Sequence, residues 1–295
     1  MKDFLIKVNQ DTDKNRRSRW NTHRKHVSGL FHEIFLKKDQ FDNIGIFGAG
    51  NCDDLDLDYI ASKCNQLYLF DYDENSVKKG IEKFLPITRN KIKIIELDVT
   101  GLNAINFYGT LSSLIQGNED HKKVSKYIIS TANNLTGFSN TKVLDLINKM
   151  DVVAISAIYT QLFYNWALEL LKSYDESTKA YKRILDSIIY LRNKIVISFH
   201  DSVFRLCHKE SYAITWTDVL SVLPEHISII NNSFNEMFKL IGKEGYQAAV
   251  IGINDFMERI EKPNEEKTNF LMRKWPWDFF DGKQYLVIGI CGKVR

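Results

Sequence analysis

Residues 44–57, IGIFGAGNCDDLDL, carry an apolar run into Gly-Ala-Gly and then into a cluster of carboxylates. The run reads as a buried strand. The Gly-x-Gly turn at its end lets backbone approach a ligand closely, because Gly48 and Gly50 lack a Cβ and tolerate positive φ. Asp53 and Asp54 read as helix-start residues, favoured by the positive end of the helix macrodipole.

Outward from this turn, short β-branched or apolar runs alternate with longer segments of helical spacing. The spacing predicts strands at NIGIFG (43–48), QLYLFD (66–71), IKIIELD (92–98), DVVAIS (151–156) and KIVISFHD (194–201). DDLDLDYIASKC, ENSVKKGIEKFL and the long segment from Tyr159 to Lys194 repeat apolar residues at steps of three and four, so they read as crossover helices over a parallel sheet. Residues 101–150 exceed what a crossover needs and suggest an extra helix or a lid. After Asp201, HISIINNSF and YQAAVIGINDFMERIE fit strand and helix equally. KWPWDFFDGKQYLVIGICGKVR reads as a bend at Pro276, a turn at Asp281-Gly282 and a last strand over 284–291.

The 295 residues are 44% hydrophobic and 12% aromatic, ample for a packed core, and the formal net charge of +3 gives no bulk attraction to nucleic acid or membrane. Four widely spaced cysteines, without a Cys-x-x-Cys pair, argue against a zinc ribbon or a disulfide scaffold and suggest a cytosolic protein. No run approaches the roughly 20 apolar residues that span a bilayer.

The turn departs from the dinucleotide fingerprint Gly-x-Gly-x-x-Gly, because Asp53 stands at the third glycine position. A carboxylate there opposes a pyrophosphate. The ligand then has a nucleoside part but no phosphates. Asp71, twenty-one residues beyond Gly50, is placed to accept ribose hydroxyls, and Asp98 with Val99 to meet an adenine ring. Ribose, adenine and a cationic tail describe S-adenosylmethionine.

GAGN after the first strand, FDYD ending the second, LDV ending the third and YLVIGIC as last strand resemble the class I (Rossmann-like) S-adenosylmethionine-dependent methyltransferases. The resemblance implies an α/β fold: a Rossmann-like three-layer sandwich whose mostly parallel seven-stranded sheet has an antiparallel last strand, with helical insertions. It implies a methyltransferase domain over 41–295, with insertions around 101–150 and 202–274, behind a basic helical segment over 1–40. Gly48, Ala49, Gly50 and Asn51 would line the methionine moiety, Asp71 the ribose, and Asp98 with Val99 the adenine, with Tyr72 and Ser156 as further cofactor-binding residues. Ile46 stands where the family often carries an acid, so Asp53, Asp54 or a carbonyl after Ser156 would meet the methionine ammonium.

For the chemistry, His200 and Tyr159 are candidates as base and pocket residue, with Gln161 as a pocket wall. The segment DKNRRSRWNTHRKHV is the one concentrated basic stretch; it reads as a cap over the cofactor with Trp20 and His23 facing inward, as a solvated helix, or as an RNA-binding strip. The acceptor is an O or N nucleophile of a small molecule or peptide. No metal is implied. Rival readings are an NAD(P)-dependent oxidoreductase, which leaves Asp53 and Asp98 unexplained, and a non-catalytic methyltransferase-like binding module.

Overall fold

The glycine turn lies at the carboxyl end of β1 (Phe41–Phe47), which pairs in parallel with β2 (Cys64–Asp71) on one side and β4 (Met150–Ser156) on the other. The computed structural model describes residues 15–138, 140–172, 174–231, 233–261 and 270–295. With β3 (Ile92–Glu96), β5 (Cys207–Ser221), β6 (Phe270–Phe280) and β7 (Lys283–Lys293), the strands form one seven-stranded sheet of order β3-β2-β1-β4-β5-β7-β6. β7 alone runs antiparallel to its neighbours. This is the expected Rossmann-like sandwich with an antiparallel last strand.

Alternation along the strands sends side chains into two cores. On one face Ile44, Ile46, Leu67, Val152, Ala154, Ile214 and Trp216 pack with the helices Asn21–Phe35 and Leu57–Ser62. On the other, Phe47, Phe70, Val153, Ile155 and Ala213 pack with the helices Phe107–Gln116, His121–Asn133, Tyr164–Leu171, Lys179–Phe204 and Gln247–Arg259. Covered on both sides, β4 is buried at all seven positions, as its apolar stretch Val152–Ile155 implies.

The fifth expected strand is corrected. KIVISFHD is the last part of the 26-residue helix Lys179–Phe204, whose Ile184, Ile188, Leu191, Ile195, Phe199 and Val203 form one buried stripe at helical spacing. Burial makes its end apolar enough to look like a strand, and a short apolar run cannot distinguish the two states. The true β5 carries Ser211, Thr215, Thr217 and Asp218 at buried positions. These polar side chains hide it from a pattern search; Thr215, for example, donates to the Ile155 carbonyl at 3.2 Å.

Two further expectations differ, and two segments left open between strand and helix prove helical. The helix after the glycine turn begins at Leu57, capped by Asp56 accepting from Tyr59 N at 3.2 Å, so Asp53 and Asp54 remain in the loop. Pro276 causes no break, because β6 is the edge strand of the described sheet and pairs there with β7 alone. HISIIN (226–231) and residues 247–259 are both helical. The expected turn at Asp281-Gly282 does join β6 to β7, with Gly282 at φ 76°.

Candidate functional site

At the carboxyl edge of the sheet the turns after β1, β2, β3 and β4 surround a cavity of about 380 Å³. The parallel topology makes this crevice, because the chain leaves β1 and β4 toward opposite faces. Every residue expected to hold the cofactor lines it: Gly48, Ala49, Gly50, Asn51, Asp71, Tyr72, Asp98, Val99 and Ser156.

The first turn is held open by its glycines. Gly48 has φ 79°, and a Cβ there would stand 2.8 Å from the Ser156 carbonyl oxygen, so a side chain is excluded by both conformation and space. Gly80, on the helix Glu74–Ile81, allows that helix to reach the loop; its Cβ would lie 2.5 Å from the Asn51 oxygen.

The carboxylates are individually positioned. Asp71 Oδ2 accepts from Gly50 N at 2.8 Å and Oδ1 from Asp73 N at 2.9 Å, which ties the ends of β1 and β2 together. Burial raises its pKa above the usual carboxylate range, against the lowering effect of these N–H donors. Asp98 organises its own turn, accepting from Thr100 N and Oγ1 at 2.9 and 2.6 Å and from Asn103 N at 2.8 Å.

Asp54 is buried at the cavity, where its Oδ2 accepts from Ser156 Oγ at 3.0 Å and Trp216 Nε1 at 3.2 Å. Both donors are neutral, and burial raises its pKa. Asp53 behaves differently: Arg16 at 2.8 Å and the Lys83 ammonium hold its carboxyl below the usual range. Five aspartates, Asp53, Asp54, Asp71, Asp73 and Asp98, therefore line the cavity. Among the described residues the one cation on its wall, Arg16, is committed to Asp53.

The basic N-terminal stretch folds onto this site. Arg17 donates to the Cys52 carbonyl at 3.2 Å, Arg24 to those of Arg17 and Asp53 at 3.0 and 2.7 Å, and Trp20 Nε1 to that of Phe279 at 2.9 Å. Trp20 lines the cavity beside Trp277, Phe279 and Phe280 of β6. His23 does not reach the cavity: it stacks on Trp277 with centroids 4.1 Å apart, and its Nδ1 accepts from Trp275 Nε1 at 2.9 Å. Lys14 lies outside the described residues.

Gln161 lines the cavity, but His200 and Tyr159 do not. His200 is fully buried within the helix Lys179–Phe204, with Nε2 2.8 Å from Tyr159 Oη and Nδ1 2.6 Å from Asp255 Oδ2. Tyr159 is also buried and 3.1 Å from Thr215 Oγ1. This network fastens the helices to the sheet. Their expected part in catalysis is withdrawn: His200 lies in a helix and not at a strand end, and Tyr159, although it follows β4, is buried away from the cavity.

Several lining residues had no signal in the sequence. Tyr108, on the helix Phe107–Gln116, lines the cavity, with its hydroxyl 3.1 Å from Thr100 Oγ1. Nothing near Tyr108 in sequence marks it. The alternation of KWPWDFF could have placed Trp277 and Phe279 on one face of a strand. Among the described residues no group of three or more His, Cys, Asp or Glu is placed to hold a metal, and no helix is long and apolar enough to cross a membrane.

No known sequence family and no curated protein matches the chain. Solved structures with a similar course include the N-methyltransferase NodS of Bradyrhizobium japonicum WM9 with S-adenosyl-L-homocysteine, at 9% identity and TM-score 0.48 over 98% of this chain and 97% of that one. The plantazolicin methyltransferase BpumL gives 12% identity and TM-score 0.39 over 99% and 90%. A putative RNA methyltransferase from Pyrococcus horikoshii gives 12% and 0.38 over 90% and 81%. The fold assignment rests on the strand order of this chain, and likeness at this level carries no activity across.

Proposed function

We propose that this protein is an S-adenosylmethionine-dependent methyltransferase acting on an O or N nucleophile. The observation that carries the reading is the charge of the cavity: five aspartates with no uncommitted cation among its described lining residues. A pyrophosphate would meet carboxylates where dinucleotide sites present N–H groups and positive charge, which disfavours the NAD(P) reading. A nucleoside carrying an ammonium and a sulfonium fits.

The residues present suit that cofactor. Asp71, anchored by backbone N–H groups of Gly50, Tyr72 and Asp73, has acceptor capacity left for a ribose hydroxyl. Asp54, desolvated and held only by neutral donors, is the acid for the methionine ammonium, taking the role that Ile46 cannot. Val99, Leu97 and Tyr108 supply apolar surface beside Asp98 for adenine. When bound, the cofactor supplies an electrophilic sulfonium methyl. The chain's part is to hold the acceptor in line with it and to exclude water.

Trp20 and the arginine contacts support the cap reading of residues 16–35. Arg16, Arg17 and Arg24 are spent on internal acceptors, which leaves less charge for RNA phosphates. A small-molecule or peptide acceptor is the better fit. The test is calorimetric titration with S-adenosylhomocysteine, with NAD as control. Micromolar binding of the former alone supports the reading; binding of NAD, or of neither, overturns it.

A further inference from the structure

Resting on the methyltransferase reading, we infer that Asp218, with Thr160, Lys283, Tyr246 and Tyr285, forms the acceptor subsite, that Asp218 is its general base, and that the acceptor is an arene bearing a weakly acidic hydroxyl.

Asp218 stands near the carboxyl end of β5, two residues beyond Trp216, whose register partner is the cavity residue Ser156. It is buried, yet its donors are neutral: Thr160 Oγ1 lies 3.0 and 3.2 Å from its two carboxylate oxygens and Thr217 Oγ1 3.4 Å from Oδ1. No ion pair to Asp218 occurs among the described residues, although Lys283 acts on it electrostatically. Asp218 is not itself a wall of the cavity, but a carboxylate desolvated without a paired cation costs stability, and beside residues that adjoin that wall the cost points to function.

The neighbours connect it to the cavity. Thr160 directly precedes the lining residues Gln161 and Leu162. The Lys283 ammonium lies 5.3 Å from the ring centroid of Phe280, a cavity wall, and 5.1 Å from that of Tyr285. Tyr285 packs against the wall residue Phe279 at 5.3 Å and against Tyr246 at 6.1 Å. Lys283 and Tyr246 are half-buried, so the edge of the cluster meets solvent.

The groups define the acceptor. Trp20, Trp277, Phe279 and Phe280 offer ring faces to a planar body. Lys283 stabilises negative charge developing on an acceptor oxygen, which suits a hydroxyl better than an ammonium. The acceptor oxygen forms its bond to the methyl carbon as the carbon–sulfur bond breaks with its electron pair to sulfur, and the hydroxyl proton passes to Asp218. Sulfonium and carboxylate are thereby converted to a neutral thioether and a neutral acid, so charge balances. Burial pushes the Asp218 pKa up to about 6, against the lowering effects of Thr160, Thr217 and Lys283, which places the base near neutrality.

The probe is 4-nitrophenol, titrated into the full-length protein saturated with S-adenosylhomocysteine and read by quenching of tryptophan fluorescence, with benzylamine as comparator. Wild type binds 4-nitrophenol and not benzylamine. Asp218→Asn, nearly isosteric, weakens nitrophenol binding about tenfold and leaves S-adenosylhomocysteine affinity unchanged. Methylation of 4-nitrophenol by wild type rises with pH through about 6. Thr160→Val, which removes a donor that favours the ionised form, moves that midpoint up. No nitrophenol binding, preference for benzylamine, or equal binding by Asp218→Asn overturns the inference and leaves the methyltransferase reading intact. Failure to bind S-adenosylhomocysteine overturns that reading itself.

Discussion

Asp71→Asn separates the carboxylate's two tasks. In the native chain its oxygens accept from Gly50 N and Asp73 N at 2.8 and 2.9 Å, with a further backbone donor in Tyr72, and the remaining acceptor capacity faces the proposed ribose. Asparagine keeps one oxygen and sets an NH2 against the other backbone donor. One unsatisfied buried N–H costs about 1–3 kcal/mol, whereas alanine would orphan both and cost about 2–6 kcal/mol. Against a total stability of about 5–15 kcal/mol, the alanine variant can fail to fold and the asparagine variant should not. For the ligand, losing one hydrogen bond to a charged acceptor removes about 1.5–3 kcal/mol, which is one to two decades of affinity. The assay is calorimetry with S-adenosylhomocysteine, alongside urea unfolding to show that the variant is folded. A folded Asp71→Asn protein that binds within about threefold of wild type (~0.7 kcal/mol) would refute the placement of the ribose.

Two other perturbations test different parts of the structure. Gly48→Ala puts a Cβ 2.8 Å from the Ser156 carbonyl at a φ of 79°, so thermal unfolding should show a loss of about 1–3 kcal/mol and calorimetry should show cofactor binding greatly weakened; an unchanged protein would contradict the turn geometry. Burial first, then His26 and Arg24, depress the His23 pKa from 6.5 to about 3, so the folded state refuses a proton that the unfolded chain accepts. The stability His23 contributes is complete above pH 6.5 and falls as pH drops toward 3, by about 2 kcal/mol between pH 7 and 5. Urea midpoints at the two pH values measure it, and His23→Gln should flatten the difference; an equally steep loss in the variant would assign the acid sensitivity to another group.

How much could be read in the one-dimensional chain varied with the kind of residue. The strands β1, β2 and β4 and the glycine turn were legible because both faces of a central parallel strand are buried, which forces a continuous apolar run ending in a turn that tolerates positive φ. The ligand-facing residues after these strands followed from topology alone, since the crevice lies where the carboxyl ends meet. β5 was not legible. Its Thr215 and Thr217 are buried by helices that arrive from elsewhere in the chain, and the apolar end of the preceding helix imitates a strand.

Local sequence thus determined the alternation of elements, the open turn at Gly48 and the acid that ends β2, because each depends on a residue and its near neighbours. Tertiary structure decided the rest. It set His200 in the core with Tyr159 and Asp255, residues 41 and 55 positions away. It set Trp20 against Phe279 across 259 positions. It left Asp54 and Asp218 desolvated with no ion pair among the described residues. Those outcomes are relations between distant segments, and the electrostatics of a carboxylate depend on what surrounds it in space, which local pattern does not encode.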